Sequence, residues 1–363
     1  MPIRRSSRKY NSDYMSRKCD DVLEQLESDL TALYANTNND MLVAYGAWAN
    51  RYKNKYNVMV TKLNNGEISQ AEFVEWVNRR MVDQKIYKET VKSLTDMLVN
   101  TDIAAMKLVN SKLPQIIADS YNFVQSLGFA AADQAGLSVG TFQIYNARTV
   151  QKLIKDNPDI MKYVNKEADY RWNKDRVNQQ ITHGILNGES LKKVANRLQN
   201  VSNMDENAAK RNARTAMTAA ENLGRNEGYH DLKDKGIPCR FQWSATHDKR
   251  TRDTHILLDG TYQDESGYFG EGIIDTPLQY PGDPAGDPEE IYNCRCRASL
   301  RLEGVDHSQD GSLYEKFMRE NYPEDYEKVS ERRQKTEAEF QEKAAGAEER
   351  VKKERERKNG AGS

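Results

Sequence analysis

Between Cys19 and Gly236 the apolar residues recur at three- and four-residue intervals, and that spacing restricts the chain to a predominantly α fold. Cys19, Leu23, Leu26, Leu30 and Leu33 form one stripe, and Trp48, Tyr52 and Tyr56 another. A stripe of this kind covers one helix face and has to bury against a partner. N-T-N-N-D (36–40) and N-N-G-E-I-S (64–69) predict breaks. A third helix is expected through Phe73, Trp76, Val77 and Met81, and a further one from Asp102 to Val124. The Ala- and Gly-rich stretch 128–140 has no period and reads as a connector. Helices are expected again over 149–154 and 163–186, the latter closed by Asn187-Gly188, then a short one in G-E-S-L-K-K-V-A-N-R-L. A longer helix follows, capped by Asn203 or Asp205. With 37% hydrophobic and 30% charged residues and a mean hydropathy of −0.88, the pattern predicts long solvated helices rather than one thick core.

After Gly236-Ile237-Pro238 the period changes. Phe241, Trp243 and Ala245 alternate with Gln242, Ser244 and Thr246, which predicts a strand. Asp248 then caps a short helix ending at Gly260, a long Gly/Pro-rich loop runs to Glu290, and I-Y-N-C-R-C-R-A-S-L-R-L reads as a second strand. A loop of that length is expected to be functional or packed by a partner. The organisation expected is a basic arm (1–18), a helical region (19–236), a small α+β unit (237–304) and a charged tail (305–363), either one solvated helix or ordered only on binding. The 54 basic and 55 acidic residues nearly cancel overall, so net charge neither requires nor excludes nucleic acid. The basic N-terminus lacks the apolar stretch of a secretory leader, no run suits a membrane span, and four cysteines do not make a disulfide scaffold. A soluble chain made in a reducing cytoplasm is the expectation.

Two arrangements in the α+β unit follow from spacing. Asp248, Thr251, His255 and Leu258 would share one helix face, a polar stripe suited to a buried network. On the last strand Cys294, Cys296, Ala298, Leu300 and Leu302 point one way, and Arg295, Arg297, Ser299 and Arg301 the other. Successive arginines of that row stand roughly 6–7 Å apart, a spacing fit for phosphates or an acidic partner surface.

Trp243, Asp248, Arg252, His255, Leu258-Asp259-Gly260, Pro281 and Asn293-Cys294-Arg295-Cys296, in that order, resemble the phage Mu F-like minor head (head morphogenesis) family. Ala213-Arg214-Thr215 resembles the family's A-R-T-E-T element, with Ala216 departing from its glutamate. The resemblance implies a minor capsid protein of a tailed phage, associated with the portal protein and with capsid or scaffolding proteins during procapsid assembly. It also implies residence in the virion interior after assembly in the host cytoplasm, and contact with double-stranded DNA in packaging or delivery.

The same residues admit rival chemistries. Cys294 and Cys296, with His255 or Cys239, offer thiolate and imidazole to zinc. The C-x-C spacing and the lack of a second Cys or His pair favour small cysteines filling a core, so no cofactor is expected. Asp248, His255 and Asp259 contain the groups for acid–base work, but no nucleophile accompanies them; a metal-assisted nuclease or toxin-like enzyme is the alternative function. For DNA, the candidates are the arm residues Arg4, Arg5, Arg8 and Lys9 and the row Arg295, Arg297 and Arg301. His183, His230 and His307 stand isolated and read as incidental.

Overall fold

The computed structural model describes residues 14–134, 144–145, 147–303, 319–320 and 323–360. The arm residues Arg4, Arg5, Arg8 and Lys9 lie outside the described residues. In chain order the elements are α1 (Tyr14–Asn64), α2 (Gln70–Val77, continued by a π-helical turn Asn78–Val82), α3 (Lys85–Gln134) and α4 (Ala147–Asp156). Then come α5 (Lys166–Leu186), α6 (Leu191–Asp234), β1 (Cys239–Ser244), α7 (Asp253–Leu258), α8 (Pro288–Ile291) and β2 (Arg297–Leu302). The last two are α9 (Pro323–Ala344) and α10 (Ala347–Gly360). The fold is mostly α with a small α+β part, as the periodicity predicts.

Several breaks expected from the sequence are absent. α1 runs straight through 36–40, because Thr37 and Asn38 are buried there and the Thr37 hydroxyl meets that of Thr101 at 2.6 Å. One residue of the polar run expected to end a helix is thus matched by a polar partner on α3. The short and long helices expected over 188–228 are one, α6; Val201 and Ser202 at the expected gap are buried. Residues 128–134 of the expected connector continue α3, with Gly128 set so tightly that an added Cβ would lie 2.4 Å from Leu232; residues 135–140 lie outside the described residues.

Contacts gather the chain into two units, neither contiguous in sequence. One draws on the spans Gln25–Val109 and Lys162–Ala213. Its core sets Trp48 between Tyr45 and Tyr87, at ring separations of 5.7 and 5.5 Å, among Met41, Tyr56, Phe73, Leu94, Val177, Ile181 and Leu198. The aromatic stripe read from the sequence is therefore core. Ser69 and Glu72 form a capping box that starts α2, and the N-N-G-E-I-S turn stands as predicted, with Gly66 at φ 73°. The same unit buries a knot of acids. Tyr34 and Asn173 both donate to Asp102, near Asp169 and Asp205. Burial pushes all three carboxyls up, Asp205 to about 8.

The other unit draws on Met1–Glu24, Asn110–Met161 and Arg214–Ser363. β1 and β2 pair antiparallel, Cys239 opposite Leu302 and Trp243 opposite Ala298. The buried face of the pair rests on the C-terminal half of α6, where Tyr229 stacks on Phe241 at 4.9 Å. α6 in turn lies close against α3: an added Cβ at Gly224 would sit 2.3 Å from the Ile117 carbonyl oxygen. The long loop, expected to be functional or packed by a partner, packs on its own unit, burying Phe269, Ile274, Leu278 and Tyr280. The described part of the tail is not one solvated helix. α9 and α10 turn back at Gly346, and Phe340 and Ala347 pack on Ile256 of α7.

Candidate functional site

α7 is shorter than its sequence suggests. Arg252 is its N-cap, and residues 247–252 form a turn, so Asp248, Thr251, His255 and Leu258 do not share a helix. All four are nevertheless buried. Asp248 builds the turn itself, accepting from the Arg250 N–H at 2.8 Å, a local bond that competes with a helical start. Both Asp248 oxygens also accept from the Arg295 guanidinium, one at 2.8 Å. Burial opposes ionisation of Asp248, yet this bidentate pair outweighs it and holds the carboxyl at about 2. Arg295 is thus turned inward, its side chain only 18% exposed, and does not join an outward row with Arg297 and Arg301.

The N-C-R-C segment precedes β2 rather than belonging to it, although the predicted alternation holds: Cys294, Cys296, Ala298 and Leu300 are buried and the residues between them less so. Asn293 opens the segment at φ 55°, a left-handed conformation that asparagine tolerates better than most residues. Its N–H donates to the Thr215 hydroxyl at 3.1 Å. One turn on, Thr218 donates to the Cys294 carbonyl at 2.9 Å, and Asn222 donates to the Cys296 carbonyl at 3.1 Å while accepting from the Ala298 N–H at 2.9 Å. Asn222 also reaches the Pro281 carbonyl at 3.0 Å, fixing the loop that carries it. Below it, Arg225 and Glu221 pair at 3.0 Å in the core, and Ser16 donates to Glu221 at 2.6 Å.

Sequence reasoning missed this polar stripe. Thr215, Thr218, Asn222 and Arg225 at three- and four-residue steps in an Ala-rich helix were its signal.

With the backbone carbonyls committed to α6, both thiols project to the other side, toward α7. Nδ1 of His255 lies 3.7 Å from Cys294 Sγ and 3.4 Å from Cys296 Sγ, and Nε2 lies 3.0 Å from Glu290, which also accepts from Thr254 at 2.9 Å. The Trp243 ring meets His255 edge-on at 5.2 Å, with Phe269 beyond it. Burial works against charge on His255, but Cys296 and Glu290 outweigh it and lift the imidazole to about 9. Cys239 lies at the far end of β1 and is not one of the three residues that converge, so it leaves the candidate ligand set. Neither Asp248 nor Asp259 joins His255. Asp259 accepts from the Ala245 N–H and from His247, both at 2.8 Å, and Gly260 follows at φ 78°, donating to the Trp243 carbonyl at 2.9 Å. Arg252 donates to the Tyr292 carbonyl, tying the cap of α7 to the turn before Asn293.

His247 was not singled out by sequence. It bridges Asp259 and Glu337 of α9 at 2.8 and 2.9 Å and stacks on Phe340 at 4.2 Å. The Asp259 hydrogen bond, against burial and with help from Glu337, raises it to about 9. It lines a polar cleft of about 500 Å³ with Gln242, Thr246, Arg297, Arg301 and Arg333. Arg301 donates to Gln242 at 2.7 Å. Asp259 and Glu337 line the cleft as well, so it carries charge of both signs, and Arg295 is not among its residues.

A family model described as Phage Mu protein F like protein matches residues 175–299. The chain is 24% identical over 299 residues to the minor head protein GP7 of Bacillus phage SPP1, covering 81% of this chain and 88% of that protein. It is also 29% identical over 135 residues to the NAD(+)–arginine ADP-ribosyltransferase EFV of Enterococcus faecalis, covering 36% of this chain and 26% of the transferase. The chain thus spans about a quarter of the length of that relative. No solved structure matches. Among the described residues no helix is long and apolar enough to cross a membrane.

Proposed function

We propose, from the match of the Phage Mu protein F like model to residues 175–299, that this chain is a minor head protein acting in head morphogenesis of a tailed phage. The observation that carries the reading is the similarity to a minor head protein along 88% of that relative's length, well beyond the Mu F-like segment alone. On this reading the chain associates with the portal while procapsids assemble in the host cytoplasm and ends inside the capsid. The geometry of the family's signature residues supports a scaffold rather than a reaction centre. Asp248 holds Arg295, Asn293 sets a backbone turn, and Asp259 orders the stretch from Ala245 to Gly260. Co-expression with the portal and shell proteins, followed by gradient sedimentation, is the test. The chain should travel with procapsids that contain portal and be absent from portal-less shells; a chain found only at the top of the gradient refutes the proposal.

Non-specific DNA contact is the finer part of this proposal. The cleft around Arg297 and Arg301, supplemented by Arg4, Arg5, Arg8 and Lys9, supplies charge of the sign phosphates need. Affinity for duplex DNA should fall steeply with salt, and replacing Arg297 and Arg301 by Ala should reduce the salt slope by about one per lost phosphate contact. The enzyme alternative draws on the partial similarity to a transferase. It requires NAD turnover or DNA cleavage by the purified chain.

A further inference from the structure

We infer that Nδ1 of His255 and the thiolates of Cys294 and Cys296 form a buried metal site of the zinc class, with Glu290 as the outer carboxylate that orients the histidine. The three ligand atoms all lie within 4.8 Å of one another. A tetrahedral zinc with bonds of about 2.0 Å to nitrogen and 2.3 Å to sulfur spaces a nitrogen and a sulfur ligand roughly 3.5 Å apart. The observed separations of 3.7 and 3.4 Å fall on either side of that value.

The C-x-C spacing, which argues against a metal when it is imagined on a tight loop, is met here by alternation: Cys294 and Cys296 are both buried while Arg295 between them turns to Asp248. In alternating conformation residues two apart face the same way, and Thr218 and Asn222 hold the Cys294 and Cys296 carbonyls on the opposite side. The third ligand arrives from α7, and its other ring nitrogen meets Glu290 at 3.0 Å. The 3.0 Å is an ion-pair separation without an aligned hydrogen bond; a small rotation of the ring would let the distal N–H donate to Glu290, the tautomer that leaves Nδ1 for the metal. Exposures of 2% for His255, 1% for Cys294 and 3% for Cys296, beside Trp243 and Phe269, give the site a dry apolar shell. Two soft sulfurs and one imidazole select zinc over calcium or magnesium. Among the described residues three ligands converge, which leaves a fourth position for water or a small exogenous ligand. The metal would join α7 to the turn that leads into β2.

The test uses the full chain, untagged, made in zinc-supplemented medium and purified with a reductant but no chelator. Elemental analysis should find one zinc per chain, and cobalt(II) exchanged for it should give tetrahedral visible bands with thiolate charge transfer in the near ultraviolet. Cys19→Ser and Cys239→Ser should leave both signals intact. Glu290→Gln should weaken metal affinity roughly 10- to 100-fold, and Cys294→Ser should cut the thiolate charge-transfer intensity by about half or more, since one of the two thiolates is lost. Because the cysteine variants risk unfolding, the wild-type cobalt spectrum is decisive. A folded wild-type chain that takes up no zinc and shows no thiolate–cobalt absorption overturns the site, as does a signal lost with Cys239→Ser but kept with Cys296→Ser. None of these outcomes depends on binding to a head.

Discussion

Replacing Asp248 separates a structural arginine from a working one. The Asp248–Arg295 pair is 12% and 18% exposed, so removing the acid strands a guanidinium in a poorly solvated place. Two magnitudes bear on the cost. Holding the Asp248 carboxyl at about 2 instead of its ordinary 3.8 corresponds to about 2 kcal/mol at ~1.4 kcal/mol per pKa unit. Leaving a buried partner uncompensated costs roughly 3–5 kcal/mol in comparable pairs.

Asp248→Asn keeps an oxygen for the Arg250 N–H and should cost about 2 kcal/mol, whereas Asp248→Ala should cost roughly 3–5 kcal/mol. The pH dependence has a definite sign. A depressed folded pKa gives stability that is complete above the unfolded value of 3.8 and drains away as pH falls toward about 2. The gap between wild type and Asp248→Asn should therefore be full at neutral pH and close as the acid limit is approached. Hydrogen exchange read on peptides covering β1 and β2 measures the opening free energy of this unit alone. A double-mutant cycle with Arg295→Ala should show strong coupling. The reasoning fails if Asp248→Asn changes the opening free energy by less than about 0.5 kcal/mol, the scatter of ordinary surface substitutions. It fails equally if Arg295→Ala leaves stability untouched and weakens DNA binding instead.

Two further predictions concern packing and charge elsewhere. The buried acids Asp102, Asp169 and Asp205 have raised pKa values, so the folded state holds protons that the unfolded chain releases, and stability should fall as pH rises through about 7 to 8. The slope should approach ~1.4 kcal/mol per pH unit for each extra proton, and Asp205→Asn should flatten it; equal stability at pH 5 and pH 8 by hydrogen exchange over 162–213 would sink the idea. Gly224→Ala pushes a Cβ to 2.3 Å from the Ile117 carbonyl oxygen and 2.9 Å from Ser120 Cβ, and should lose about 1–3 kcal/mol. Gly46→Ala, in open space inside α1, should gain about 0.5–1 kcal/mol, and opposite shifts in urea midpoint distinguish the two.

What the sequence determined by itself was periodicity. The apolar stripes of α1 and α2, the stop at Asn187-Gly188, the change of period after Pro238 and the inward side of Cys294, Cys296 and Ala298 were all legible, because local geometry fixes which residues share a face. The ordered residues from Trp243 to Cys296 also carried the family resemblance. Tertiary structure decided what those faces meet. Thr37 stays helical because Thr101 awaits it, and α6 crosses Val201 and Ser202 because both are buried. Arg295 turns inward because a nonlocal carboxylate, 47 residues away, meets it. The convergence of His255, Cys294, Cys296 and Glu290 depends on α6 gripping the N-C-R-C backbone while α7 approaches from the other side. Such meetings link residues dozens of positions apart, and no local spacing encodes them.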